Sequence, residues 1–310
     1  MTSRSAGGLA LAVIALASGC GTDAGRRGPA PAPARAETRG PERLALRYDR
    51  HLPSVPVLLD GYLDARFAFN TGIGLNLVSK SLCKMLECVS AGTYVGKRMS
   101  GQQVTVPLAK VRSLAVGHEE QRDVVVGVID LDGFVDARDI QGFVSLGFFA
   151  HRPFTLDERQ SELVLEDEAS LERRVAGGTV VNVDVRREGE SLTVFLPLEI
   201  AGQAVLAEVD TGSDALILDE RFMAPLGIDK AQARVVEGRD ETGHAFTRWF
   251  TDLSVAVHPA GAPAIHRTGL RTMFQKIIHD GLVGRTFLEP YAVTFDLARQ
   301  RMVFAPHAPR

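Results

Sequence analysis

Along most of the chain, apolar residues come in short runs closed by Gly, Pro or Asp, with no long helical periodicity. Residues 55–61 and 195–202 are two such runs, and each ends on a glycine. The pattern predicts a mostly-β protein. One stretch departs from it: residues 166–178 open with acidic side chains, pass through Leu171-Glu172-Arg173-Arg174 and stop at Gly177-Gly178. That composition predicts a short helix with a glycine stop, followed by a strand at residues 180–185.

The runs repeat. Phe67-Ala68-Phe69-Asn70-Thr71-Gly72-Ile73-Gly74-Leu75-Asn76-Leu77-Val78 aligns without gaps on Ala207-Glu208-Val209-Asp210-Thr211-Gly212-Ser213-Asp214-Ala215-Leu216-Ile217-Leu218. Downstream, Gly96 and Gly101 bracket one loop, and Gly238 and Gly243 bracket another with the same spacing. Gly142-Phe143-Val144-Ser145 then matches Gly281-Leu282-Val283-Gly284. The match continues to Thr155-Leu156-Asp157 and Thr294-Phe295-Asp296, and ends in residues 163–165 and 302–304. Four blocks in one order, with almost constant offset, indicate a tandem duplication. Each half then holds strands and one short helix. Asp210 falls at a loop tip between two buried strands, a costly place for a carboxylate without hydrogen bonds.

A strand, Asp-Thr-Gly, a second strand, a glycine hairpin and then two apolar residues before Gly resembles the lobe of aspartic peptidases. The short halves are similar to the retropepsin branch, fused in tandem. The resemblance covers nearly all of residues 44–306 and is stronger in the second half. It implies two β-barrel lobes, at residues 42–166 and 192–310, joined by a connector at 167–191. In that family two carboxylates meet around one water and share a proton, because like charges so close cannot both ionise. Thr71, Gly72, Thr211 and Gly212 would tie the two loops together. Hairpins at residues 99–103 and 241–245 would act as flaps, with Ser100, Gly101, Gln102, Thr242, Gly243 and His244 over an extended peptide held by backbone hydrogen bonds. No cofactor is expected, and no metal, because no His or Cys pair with ligand spacing lies near the cysteines.

The chain departs from that family at the decisive position. Asn70 replaces the first aspartate, and Ser145 replaces the glycine that Gly284 keeps. An amide preserves the shape of a carboxylate but neither gains nor loses a proton near neutral pH. Without a like-charged neighbour, Asp210 is expected to be ionised at pH 7, a base with no matching acid. Losing one acid–base partner typically costs about 10²–10⁴-fold in rate. The expectation is a protein that binds extended peptides between its lobes and hydrolyses them poorly. Two alternatives stand beside it. One is an active aspartic-type endopeptidase using Asp210, rescued by pairing second lobes of two chains, by Asp214 or Asp240, or by deamidation of Asn70. The other is a non-enzymatic structural lipoprotein of the envelope.

The N-terminus adds a location. Arg4 followed by an apolar run at residues 9–17 reads as an export signal over residues 1–19, too short to span a bilayer, which needs about 20 apolar residues. Ala17-Ser18-Gly19-Cys20 resembles a bacterial lipobox, which implies lipidation of Cys20; the alternative is an ordinary secretory signal with an incidental cysteine. Residues 20–41, rich in Gly, Ala, Pro and Arg, read as a disordered tether. By the same analogy, Gly21 in place of Asp directs the protein to the periplasmic face of the outer membrane. The expected partners are a peptide or protein ligand and the membrane through its lipid anchor. A net charge of −3 gives no reason to expect nucleic acid.

Cys83 and Cys88 fall where pepsin-like enzymes carry a small disulfide loop of this spacing. Pairing requires the intervening helix to end before Cys88; the alternative is two buried thiols on a core helix. Val144-Ser145-Leu146-Gly147 is half a serine-hydrolase elbow, but Phe143 stands where the first glycine is required. The eight His are scattered without ligand spacing, and Trp249 and Phe250 read as core or pocket wall.

Overall fold

A computed structural model describes residues 14–15, 40–49, 52–131, 139–240 and 243–307. Cys20, nearly all of the export signal and tether, and Thr242 of the second hairpin lie outside the described residues.

Each half is built by the same route. Leu52–Leu59 turns back as Leu63–Phe69, and Ser191–Ile200 turns back as Gln203–Val209. Both turns use a left-handed pair, Asp60-Gly61 in one half and Ala201-Gly202 in the other, the twist that suits a tight hairpin. The returning strand runs parallel to Gly142–Val144 in the first half and to Gly281–Val283 in the second. Those short central strands pair antiparallel with Leu77–Ser79 and Leu216–Asp219. The chain therefore leaves the sheet at residue 70 and again at residue 210, and both exits are pinned alike. The Asn70 N–H donates to Val144 O at 3.1 Å, and the Asp210 N–H donates to Val283 O at 3.0 Å.

The halves also share a sheet. Six strands lie in the order Thr179–Asn182, Arg301–Pro306, Tyr291–Asp296, Phe154–Asp157, Glu162–Leu165 and Glu42–Ala45. At its centre Thr155 faces its own repeat mate Thr294, with hydroxyls 2.7 Å apart and both residues buried. Beside them Phe154 stacks on Phe295 at 4.8 Å. A residue that meets its repeat mate marks a local twofold axis relating the two halves. The strand at 179–182 belongs to this sheet, so part of the expected connector is structural.

Strand alternation sorts the side chains into two sets. Phe67, Phe69, Val205, Ala207 and Val209 enter one large core that runs through both halves. The intervening positions face the other way. In the first half these are filled by a small apolar cluster containing Ala68, Leu77, Ile140 and Phe143. In the second half the corresponding cluster holds Ile217, Met273, Ile277 and Leu282, and it also takes in Met99 from the first half.

Short helices occupy Lys80–Met85 and Arg285–Leu288, one in each half. Between the halves Glu168–Gly177 forms a longer helix, started by a capping box of Asp167 and Ser170. The first short helix ends at Leu86, and Glu87 at a φ of 50° turns the chain back. Cys88 is thereby brought to Cys83, to which it is joined with Cα atoms 5.2 Å apart.

Candidate functional site

The two exit loops meet tip to tip. Asn70, Thr71, Asp210 and Thr211 are all at most 1% exposed. The threonines exchange hydrogen bonds across the axis: the Thr71 N–H donates to Thr211 Oγ1 at 3.1 Å, and the Thr211 N–H donates to Thr71 Oγ1 at 3.0 Å. Thr71 Oγ1 donates onward to Val209 O at 2.7 Å. Within each loop the glycine N–H donates to the preceding side chain, Gly72 to Asn70 Oδ1 at 2.8 Å and Gly212 to Asp210 Oδ1 at 2.9 Å. The amide and the carboxylate are thus held in the same way by their own loops.

The glycines let the side chains cross. A Cβ on Gly72 would stand 2.8 Å from Asp210 Cβ, with the carboxyl closer still. A Cβ on Gly212 would stand 2.8 Å from Asn70 Cγ. Each half's glycine is therefore packed against the other half's polar side chain, which puts Asn70 and Asp210 on one small patch at the seam.

Burial sets the chemistry of Asp210. Loss of water pushes its carboxyl up to about 7, against the pull of the Gly212 N–H. The expectation that Asp210 is fully ionised at pH 7 is therefore corrected: burial does what a second carboxylate at residue 70 is not present to do. A second carboxyl, absent from the expected site residues, lies close behind. Glu208 is 1% exposed, and burial, then the nearby Asp210, push it well above the usual carboxylate range. The signal was in the sequence as an acidic letter inside an apolar strand, opposite Ala68 in the repeat.

The other expected residues separate into groups. Ser145 is bound locally: its N–H and Oγ donate to Asn76 Oδ1 at 2.9 and 3.3 Å. A Cβ on Gly284, its counterpart, would stand 2.6 Å from Ala215 O, so only glycine fits there. Asp214 is exposed and paired with Arg285 at 3.1 Å, and Asp240 accepts from the His244 N–H in its own hairpin turn. Both carboxylates are engaged where they stand.

The two hairpins differ. Ser100, Gly101 and Gln102 form the tip of the first, closed by the Gly101 N–H donating to Arg98 O. Met99 at its base is buried against the second half, where the Ile278 N–H donates to Met99 O at 3.0 Å. The first hairpin is therefore down, spanning from one half to the other. Gly243 and His244, at the second tip, are exposed. Two open cavities of about 610 and 760 Å³ lie elsewhere, beside the shared sheet and beside Glu158 and Arg285, and neither is lined by Asn70 or Asp210. Among the described residues, no group of His, Cys, Asp and Glu is placed to hold a metal, and no helix is long and apolar enough to cross a membrane.

No family model and no curated protein matches the chain. Solved structures do. Conglutin gamma from lupine seeds aligns with a TM-score of 0.52 at 12% identity, over 87% of this chain and 95% of its own. Basic 7S globulin from soybean aligns with a TM-score of 0.54 at 11% identity, over the same shares of each chain. What this chain has in common with these two globulins is the fold alone, a mostly-β, two-lobed arrangement.

Proposed function

We propose that this protein binds extended peptides in the cleft between its halves and hydrolyses them poorly or not at all. The observation that carries the reading is the loop pair itself, in which Asn70 is held by Gly72 as Asp210 is held by Gly212. Peptide hydrolysis at such a patch needs one group to take a proton from water while another gives one to the carbonyl. Asp210, with its carboxyl at about 7, can be either acid or base. Asn70 can be neither, since its Oδ1 accepts from Gly72 and its amide hydrogens do not leave. A water activated by Asp210 would have no partner acid to protonate the carbonyl. Lipidation of Cys20 would hold the protein at the periplasmic face of the outer membrane, with residues 20–41 as a tether.

The test is a quenched-fluorescence peptide library read for both binding and cleavage across acidic to neutral pH. Saturable binding without turnover is the expected result. Turnover abolished by Asp210→Asn would favour an active endopeptidase, and no binding at all would favour a structural envelope protein.

A further inference from the structure

Two apolar positions of the first half are polar in the second. In the first half they are Ala68 and Ile140, both buried in the apolar cluster with Phe143. In the aligned second half they are Glu208 and His279. Glu208 alternates with Ala207 and Val209, which enter the core, so it faces away from the core on the side of Asp210. Across the parallel pairing it lies beside Leu282, a member of the cluster that receives Met99 of the first hairpin.

Glu208 Oε2 and His279 Nε2 lie 3.5 Å apart, and neither atom has a hydrogen-bond partner. Buried polar atoms without partners are rare, because each gives up its water for nothing. The imidazole is packed edge-on against Phe195 at 5.0 Å, and Arg186 lies over the far ring of that stack at 4.3 Å. Arg186 is engaged by Asp184, and Asp280, the neighbour of His279, is engaged by Arg221. No cation of the described chain is paired with Glu208.

We propose that Glu208 and His279 form an acceptor pocket that takes the side chain of a lysine or arginine in a peptide lying beside Asp210. Burial favours a proton on Glu208 in the empty protein, and an arriving ammonium or guanidinium sends that proton to solvent. The resulting carboxylate, with two oxygens, and the neutral imidazole, with one acceptor nitrogen, suit a side chain with several N–H donors. Burial first, then Arg186, hold His279 down to about 4, which keeps it an acceptor at neutral pH. The hairpin tip, resting on Ile278 next to His279, must lift to admit the side chain. The proposal rests on the peptide-binding reading above and specifies which peptides that cleft prefers.

The full-length protein is tested against a positional-scanning library of acetylated octapeptides, in which one position at a time is fixed as Lys, Arg, norleucine, Gln or Glu. At one position Lys and Arg are expected to bind at least ~10-fold more tightly than norleucine, the range of a charge-assisted hydrogen bond. Glu208→Gln should remove that preference while the rest of the library binds as before. The double variant Glu208→Leu with His279→Ile, which makes the second wall apolar like the first, should fold and favour norleucine there. A Lys or Arg preference that survives in both variants, or no such preference in the wild type, overturns the pocket but leaves peptide binding standing. Failure of every peptide to bind overturns both.

Discussion

Gly72→Ala is expected to destabilise the protein by about 3 kcal/mol or more, at the upper end of what overpacking a core costs. The added methyl would stand 2.8 Å from Asp210 Cβ, and Asp210 has nowhere to go. Its Oδ1 is held by Gly212, its N–H is spent on Val283, and its loop is locked through Thr71 and Thr211. The surroundings are fully buried, so a shift on one side strains the threonine bridge on the other. Gly212→Ala should act similarly against Asn70. Gly177→Ala is the control. It sits in the last turn of a helix with nothing within 4 Å of the added carbon, so it should be neutral or slightly stabilising. Urea denaturation of the three variants measures this, and a Gly72→Ala protein within about 0.5 kcal/mol of wild type, the usual range of a surface substitution, would mean that the loops do not interlock.

Asp210→Asn should stabilise the protein at pH 8 and leave it nearly unchanged at pH 4. The folded carboxyl titrates at about 7, whereas an unfolded aspartate titrates near ~3.9. Between those values the folded state keeps a proton that the unfolded state has released. Stability therefore falls as pH rises through that window, and the full penalty is present above it. Three units at about 1.4 kcal/mol each give a loss of roughly 4 kcal/mol. Asparagine has no proton to lose, so the difference between variant and wild type should grow from near zero to roughly that size. Carboxylates remote from Asp210 titrate alike in both proteins and drop out of the comparison; Glu208, which the Asp210 charge pushes up, adds to the difference only in the same direction. A difference that stays flat with pH would show that Asp210 is not buried as a proton-holding group.

The large features were legible because glycine and threonine leave distinctive marks. Asp-Thr-Gly and Asn-Thr-Gly, each between apolar strands, gave the repeat, and Gly142 and Gly281 fixed the strands that pin the loops. The mostly-β, two-lobed fold follows from those blocks. The shared sheet was hidden, because residues 154–157 and 291–296 read as strands without showing that Thr155 would face Thr294. Strand pairing across a twofold axis is set by packing of the halves, which local pattern does not carry. The raised carboxyl of Asp210 was missed for a related reason. Charge neighbours can be guessed from a motif, but loss of water depends on what closes over the site. Glu208 and His279 were visible as polar letters against Ala68 and Ile140, and only their burial gave them meaning.

The central claim is that an inert amide stands where a second proton-carrying group would complete the site. Asn70→Asp tests it most directly, with peptide cleavage measured across acidic to neutral pH. Two carboxyls on one patch would share a proton and so supply an acid and a base together. The expected result is a rise in cleavage of about 10²–10⁴-fold over wild type, lost again when Asp210→Asn is added. Cleavage that stays at the wild-type level in Asn70→Asp, with the fold intact, would contradict the account.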